Sequence, residues 1–190
     1  IGMEQPAGNK ITGNPSSHPA LSVKWVEDFP DIPLNRNEAY KLRVTSKGVE
    51  IEAITETGVY RAIQTLRQLT EKKGNGIAIT GCEITDWPAF RIRGFMQDVG
   101  RTYISTDELK REIAILARYK INVFHWHLTE NQAWRLQSKV FPMLNDSVNT
   151  TRQPGKYYTL EEARELAAFC KQHHLSLIHI SEPTRRVVIS

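Results

Sequence analysis

After Asp86-Trp87-Pro88 the chain changes rhythm, and the new rhythm leaves few folds open. FRIRGFMQDVG reads as a strand, and STDELKREIAILARYK as a helix opened by the capping box Ser105-x-x-Glu108, with Leu109, Ile113, Leu116 and Ala117 on one face. INVFHWHL reads as a second strand. After a loop of about thirty residues, a second capping box, Thr159-x-x-Glu162, opens a helix from Leu160 to about His173. Parallel strands cannot be joined by a hairpin and need a crossover, so strand, helix, strand, loop, helix is the pattern of a parallel α/β fold. A (β/α)8 barrel is its commonest host and takes roughly 250 residues. Only about a hundred residues follow Pro88, so the expectation is the first strands and helices of a truncated (β/α)8 TIM barrel.

Ahead of that proline the pattern differs. Tyr40, Leu42 and Val44 alternate with polar residues, Ser46-Lys47-Gly48 supplies a turn, and Val49, Ile51 and Ala53 alternate again, which predicts a hairpin with one buried face. From Gly58 the period becomes helical, with Val59, Ala62, Ile63, Leu66 and Leu69 on one stripe. A short apolar stretch, Ile77 to Ile79, leads to Gly81. The first 36 or so residues, rich in Pro, Asn, Gly and Ser, read as a domain entered partway. The expected organisation is therefore an α/β chain: a small α+β (ββα) domain over 1–87, incomplete at its start, then βα units over 88–174. Residues 175–190 are set apart below.

Composition excludes some functions. The net charge is +4 and no run of Lys or Arg exceeds two, so the electrostatic footprint of a nucleic-acid binder is missing. No stretch is long and apolar enough for a membrane span, and IGMEQPAGNK shows no signal-peptide pattern. Cys82 and Cys170 are far apart with no CxxC spacing, which reads as two small buried thiols rather than a disulfide or a zinc knuckle.

The chemistry concentrates in VFHWHLTENQAWR, residues 123–135. On a strand, residues two apart face the same way, so His125 and His127 point to one side and Trp126 to the other. Three readings stand open. Both imidazoles could be hydrogen-bonded core groups; they could supply two ligands of one metal, as in a metal-dependent barrel hydrolase; or the strand end could deliver polar side chains to a sugar pocket, with Glu130 at the C-terminal mouth where barrel enzymes place their sites. The first barrel strand carries Arg93, Asp98 and Arg101, the last two at that same mouth. An arginine fork beside a carboxylate can clamp vicinal hydroxyls, although the same pair could be a surface salt bridge. Trp126 and Trp134 could stack on a pyranose or fill the core.

RIRGFMQDVGRTYIS, LARYKINVFHWHLTENQAWRLQSKVFPML and YYTLEEARELAAFCKQHH together resemble the opening of the catalytic barrel of the family 20 glycoside hydrolases, the β-N-acetylhexosaminidases. EAYKLRVTSKGVEIEAITETGVYRAIQTLRQL resembles the small domain that precedes that barrel. The resemblance spans about Asn37 to His174. It implies hydrolysis of terminal N-acetylglucosamine or N-acetylgalactosamine from glycans by a retaining, substrate-assisted mechanism, with no metal and no cofactor. A glycan is then the partner, and a periplasmic or secreted location is expected of the parent protein. The family's sugar-holding arginine maps onto Arg101 and its acidic partner onto Glu130, with Asp98, His127 and Trp134 as weaker substrate-binding candidates. The family pattern Thr/Ser-Asp-Asp-Gln-Gly-Trp stands here as Thr129-Glu130-Asn131-Gln132-Ala133-Trp134, so Glu130 reaches one methylene further than the usual aspartate. The catalytic Asp-Glu pair follows the fourth barrel strand in this family and has no counterpart in the 190 residues, so no catalytic residue is assigned and the chain alone is expected to be inactive. The alternatives are the metal-dependent hydrolase and a non-catalytic carbohydrate-binding protein.

Where the family continues into a third strand with a Pro-Glu pair, this chain reads LSLIHISEPTRRVVIS, which resembles a translated sequencing adapter. Residues 175–190 are therefore expected to be a non-native tail. Sequencing the locus across this point checks it; recovery of the same residues followed by further barrel sequence refutes it.

Overall fold

Alternation of buried and exposed side chains builds the first part of the chain. The structure, a computed structural model, describes residues 10–11 and 20–180, and readings on 1–9, 12–19 and 181–190 lie outside it. The chain divides into two compact units, Ile1–Arg91 and Ile92–Ser190. In the first, Lys10–Ile11 (β1), Ala20–Trp25 (β2), Tyr40–Thr45 (β3) and Gly48–Ala53 (β4) precede the helix Glu56–Gln68 (α1), which leads to Thr70–Lys73 (β5), Gly76–Thr80 (β6) and Cys82–Asp86 (β7). The larger sheet has the order β2-β4-β3-β7; β3 and β4 form the antiparallel hairpin, and β2 joins β4 in parallel. A small sheet of order β1-β6-β5 accounts for the rest.

The hairpin buries Tyr40, Leu42, Val44, Val49, Ile51 and Ala53, and α1 covers them with Val59, Ala62, Ile63, Leu66 and Leu69. Each fully buried aliphatic here contributes about 1.5 to 3 kcal/mol. The apolar stripe was readable; two polar insertions were not. Arg61 is only 1% exposed and is held by Glu38 at 2.9 Å. Tyr40 donates its hydroxyl proton to Asp86 Oδ2 at 2.8 Å and meets Thr65 Oγ1 at 2.6 Å. Thr55 caps α1, its hydroxyl accepting from the Gly58 amide at 3.2 Å.

The second unit contains Gly94–Asp98 (β8), Thr106–Arg118 (α2), Val123–His127 (β9), Thr129–Glu130 (β10), Ala133–Trp134 (β11), Leu160–Gln172 (α3) and Ser176–Ile180 (β12). Strands β12, β9 and β8 form one all-parallel sheet in that order. Both capping boxes close reciprocally, Ser105 with Glu108 and Thr159 with Glu162. Leu109, Ile113 and Ala117 are buried on α2 and Ala163, Leu166 and Cys170 on α3, each set at helical spacing, and Lys110 reaches Glu165 at 2.5 Å. Each helix ends in a Schellman motif without glycine. Lys120 (φ 61°) and His174 (φ 55°) take the left-handed position, while the amides of Ile121 and Leu175 bond back to Leu116 and Cys170. Burial pushes the Cys170 thiol up to about 12; Cys82 is half-buried, not buried as read from sequence, and both thiols are free.

Strand register follows from short stitches at the strand starts. The Asn122 amide donates to Arg93 O at 3.0 Å and the Ser176 amide to Asn122 O at 2.8 Å. On β9, Phe124 and Trp126 are buried while His125 and His127 are half-buried on the opposite face. Met96, His125 and Ile178 form one row of that face, and Met96 and Ile178 are exposed. The long loop is ordered: β10 and β11 pair antiparallel, 3-10 turns span Pro142–Asn145 and Ser147–Asn149, and Leu136 bridges to Tyr158. Among the described residues no helix is long and apolar enough to cross a membrane.

Gly58 generates a prediction whose sign opposes helix propensity. Alanine normally stabilises a helix interior by about 0.8 to 1 kcal/mol over glycine. A Cβ at Gly58 would lie 2.5 Å from the carbonyl oxygen of Ala39, a backbone atom that cannot rotate away. Gly58→Ala should therefore destabilise by about 1 to 3 kcal/mol, read from the urea midpoint of the purified chain.

Candidate functional site

Parallel pairing sets Asp98, the last residue of β8, directly opposite His127, the last of β9. From there both chains turn inward on each other. The amides of Val99 and Gly100 share the His127 carbonyl, at 3.0 and 3.2 Å. A Cβ on Gly100 would sit 3.0 Å from both Cβ and N of Glu130, so only glycine lets the β8 exit run this close to β10. The approach brings Arg101 against Glu130.

Four polar side chains meet there. Arg101 donates from Nη2 to Glu130 Oε1 at 3.1 Å, and its Nε lies 3.2 Å from Asp98 Oδ2. Its amide also donates to Asp98 Oδ1 at 3.1 Å. His127 Nε2 lies 3.0 Å from the same Glu130 Oε1. The hydrogen bond from His127, ahead of the charge of Arg101, holds the Glu130 carboxyl below the usual carboxylate range. Asp98, His127 and Glu130 are largely covered, whereas the Arg101 side chain is 62% exposed. Exposed ion pairs contribute about 0 to 1 kcal/mol to stability, so this guanidinium is poorly placed as a structural brace and well placed to meet a ligand. The arrangement offers guanidinium donors beside carboxylate acceptors at one strand end, a match for neighbouring hydroxyls.

The structure thus brings Asp98, Arg101, His127 and Glu130 together, while the other singled-out residues sit elsewhere. Trp134 lies on the adjoining β11, where Thr129 is its cross-strand partner. Arg93 is at the start of β8, its Nε donating to Lys120 O at 2.8 Å, away from the strand ends where Asp98 and Arg101 lie. Trp126 is core, 4.6 Å from the Tyr158 ring centroid. His125 sits 6.0 Å from His127 between ring centroids; burial lowers its pKa, and its Nε2 finds no hydrogen-bond partner among the described residues. Asp98, His127 and Glu130 each offer a ligand atom within 4.8 Å of one another. His125 is outside that group, and Arg101 already engages both carboxylates, so the cluster is arranged around a resident cation of the protein itself.

Sequence reasoning passed over Arg135. It is fully buried and donates to four carbonyl oxygens: Val99 at 3.0 Å, Lys156 at 2.7 Å, Gln153 at 3.1 Å and Arg152 at 2.7 Å. Only its place beside Trp134 in a polar-rich stretch hinted at a role.

Comparison with known proteins follows the same division of the chain. The model for "Glycosyl hydrolase family 20, catalytic domain" matches residues 90–183, and that for "Glycosyl hydrolase family 20, domain 2" matches residues 5–87. A beta-hexosaminidase of Porphyromonas gingivalis is 38% identical over 188 residues, covering 92% of this chain and 22% of that protein. One from Vibrio furnissii is 35% identical over 74% of this chain and 25% of its own length. Among solved structures, the β-N-acetylhexosaminidase of Bacteroides fragilis matches with a TM-score of 0.74 at 31% identity, over 84% of this chain and 32% of that one. The Vibrio harveyi exo-β-N-acetylglucosaminidase, in complex with N-acetylglucosamine, gives 0.72 at 32% identity, over 86% and 27%. The chain spans 22% to 30% of the length of the first curated relatives it matches.

The Glu130 carboxyl supplies a test of the network. Its depressed folded pKa means that the interaction is fully present above the ordinary carboxylate range and is lost as pH falls through the folded value. A carboxyl-carbon NMR titration should place Glu130 below an ordinary glutamate, and His127→Ala, which removes the largest cause, should move it back up. A Glu130 titration unaffected by His127→Ala would show that the hydrogen bond is not made in solution.

Proposed function

The chain belongs to glycosyl hydrolase family 20, and from that premise we propose that it is a portion of a β-N-acetylhexosaminidase acting on glycans that end in N-acetylglucosamine or N-acetylgalactosamine. Residues 88–174 supply the first βα units of a (β/α)8 barrel whose remaining strands cover the exposed Met96. Residues 1–87 supply the small domain ahead of it.

One observation carries the reading. In a chain matched by the family's catalytic domain, the guanidinium of Arg101 stands exposed at the carboxyl ends of two adjacent parallel strands, braced by Asp98 and Glu130. There Arg101 donates to hydroxyls of the terminal sugar and Glu130 accepts from them. Together they fix the ring so that its own 2-acetamido oxygen can attack the anomeric carbon while a glutamate protonates the leaving oxygen. That glutamate and the aspartate that orients the acetamido group belong to a later strand of the complete protein. This chain holds and orients the sugar and, by itself, has no proton donor for the departing alcohol.

The test is release of chromophore from a chromogenic N-acetylglucosaminide. The complete protein should turn over and the 190-residue chain should not. Arg101→Ala in the complete protein should cost about 2 to 3 kcal/mol, roughly 30- to 150-fold in kcat/KM, because sugar hydroxyls and Glu130 lose a charged donor. An unchanged kcat/KM removes Arg101 from the site, and turnover by the chain alone places the catalytic carboxylates within it.

A further inference from the structure

Arg101 is carried on a short segment, Val99 to Ile104, that ends one strand and begins no other for several residues. Its outer part, Arg101 and Thr102, is exposed, and sugar recognition needs the guanidinium held within a few tenths of an ångström. Besides the bonds to His127, Asp98 and Glu130, the segment is anchored from Arg135 and the 152–158 stretch. The buried guanidinium of Arg135 donates to the Val99 carbonyl, two residues before Arg101, and to the carbonyls of Arg152, Gln153 and Lys156, fastening the two segments together. Gln153 returns the contact from the other side of Arg101, its side-chain oxygen accepting from the Tyr103 amide at 2.5 Å. Tyr158 completes the grip. Its hydroxyl donates to Ile104 O at 2.5 Å, and its ring stacks on Tyr103 at 4.8 Å between centroids.

We propose that the 152–158 loop, fastened by Arg135, is a clamp that sets the position of Arg101, and that Arg135 and Gln153 are positioning residues for sugar binding. The chemistry favours this assignment over a generic core role. An arginine offers five donors in a fixed plane, and here four of them are spent on backbone carbonyls of two loops rather than on a carboxylate. Lysine, with three donors on a compact head, cannot span the same four oxygens. Gln153 adopts a left-handed backbone conformation, φ 52°, that a glutamine rarely takes without compensating contacts. Its carbonyl and its side chain both serve the clamp, so that conformation is held by the two contacts just described.

The inference rests on the reading of Arg101 as a sugar-binding residue, so the experiment carries Arg101→Ala alongside. In the complete protein, Gln153→Ala and Arg135→Lys are assayed on a chromogenic N-acetylglucosaminide, with folding followed by circular dichroism. Gln153 is exposed, so its truncation leaves the core untouched even if Arg135→Lys folds poorly. A variant that merely unfolds in part loses active enzyme, which lowers kcat and leaves KM alone; a displaced Arg101 weakens sugar binding and raises KM. The expected result is a KM about tenfold higher for Gln153→Ala with kcat within about twofold, faster exchange of the Tyr103 amide, and no further rise when Gln153→Ala is added to Arg101→Ala. If Arg101→Ala raises KM while folded Gln153→Ala and Arg135→Lys keep the wild-type KM, the clamp is refuted and the site stands. If Arg101→Ala itself changes nothing, the site reading fails and the clamp with it.

Discussion

Parallel pairing of β8 with β9 is the constraint from which the second unit follows. It is set at the strand starts, where Asn122 bonds to Arg93 O and Ser176 to Asn122 O, and it carries through to place Asp98 opposite His127. A slip of one residue would move every side chain to the other face of the sheet. It would take His125 and His127 into the packed layer occupied by Phe124 and Trp126, and Asp98 would no longer stand opposite His127. The helices serve the same end. Each is started by a reciprocal capping box and stopped by a Schellman turn, so that the next strand begins at the correct height.

Two arginines of this unit sit in opposite environments. The buried guanidinium belongs to Arg135, whose donors are satisfied by four carbonyls, and the exposed one to Arg101, whose partners are carboxylates. Burying Arg135 would be costly without those acceptors. Arg101, 62% exposed, carries no comparable desolvation cost. The first unit shows the same economy on a smaller scale: Arg61 buried against Glu38, and Tyr40 linking α1 to β7 through Thr65 and Asp86.

The elements readable from the chain were those whose causes are local. Tyr40, Leu42 and Val44 against Val49, Ile51 and Ala53 specify a hairpin by period alone, and Ser105 with Glu108 or Thr159 with Glu162 specify a helix start within four residues. The pairing of Asp98 and Arg101 with Glu130 was approachable because a parallel βα unit puts consecutive strand ends side by side. What escaped was set by contacts of long sequence separation. Arg135 bonds across 17 to 36 residues, and Gln153 reaches Tyr103 across 50. The segment after Glu130 therefore read as loop although β11, two 3-10 turns and a bridge to Tyr158 order it. Lys120 and His174 left no helix-stop signal either, since neither is glycine and their left-handed conformation follows from the Schellman bonds.

By itself the sequence determined the hairpin, the α/β alternation after Pro88, the helix starts and which residues carry polar chemistry, because periodicity and capping act over a few residues. The tertiary structure alone decided which of those polar residues share a site. It drew His127 into contact with Glu130 and left His125 out, moved Arg93 to the far end of its strand, and turned Arg135 from a neighbour of Trp134 into the fastening of the loop that bears Arg101. The physical reason is that a side chain's partners are fixed by strand register and by the path of loops, and both are settled only when distant segments pack.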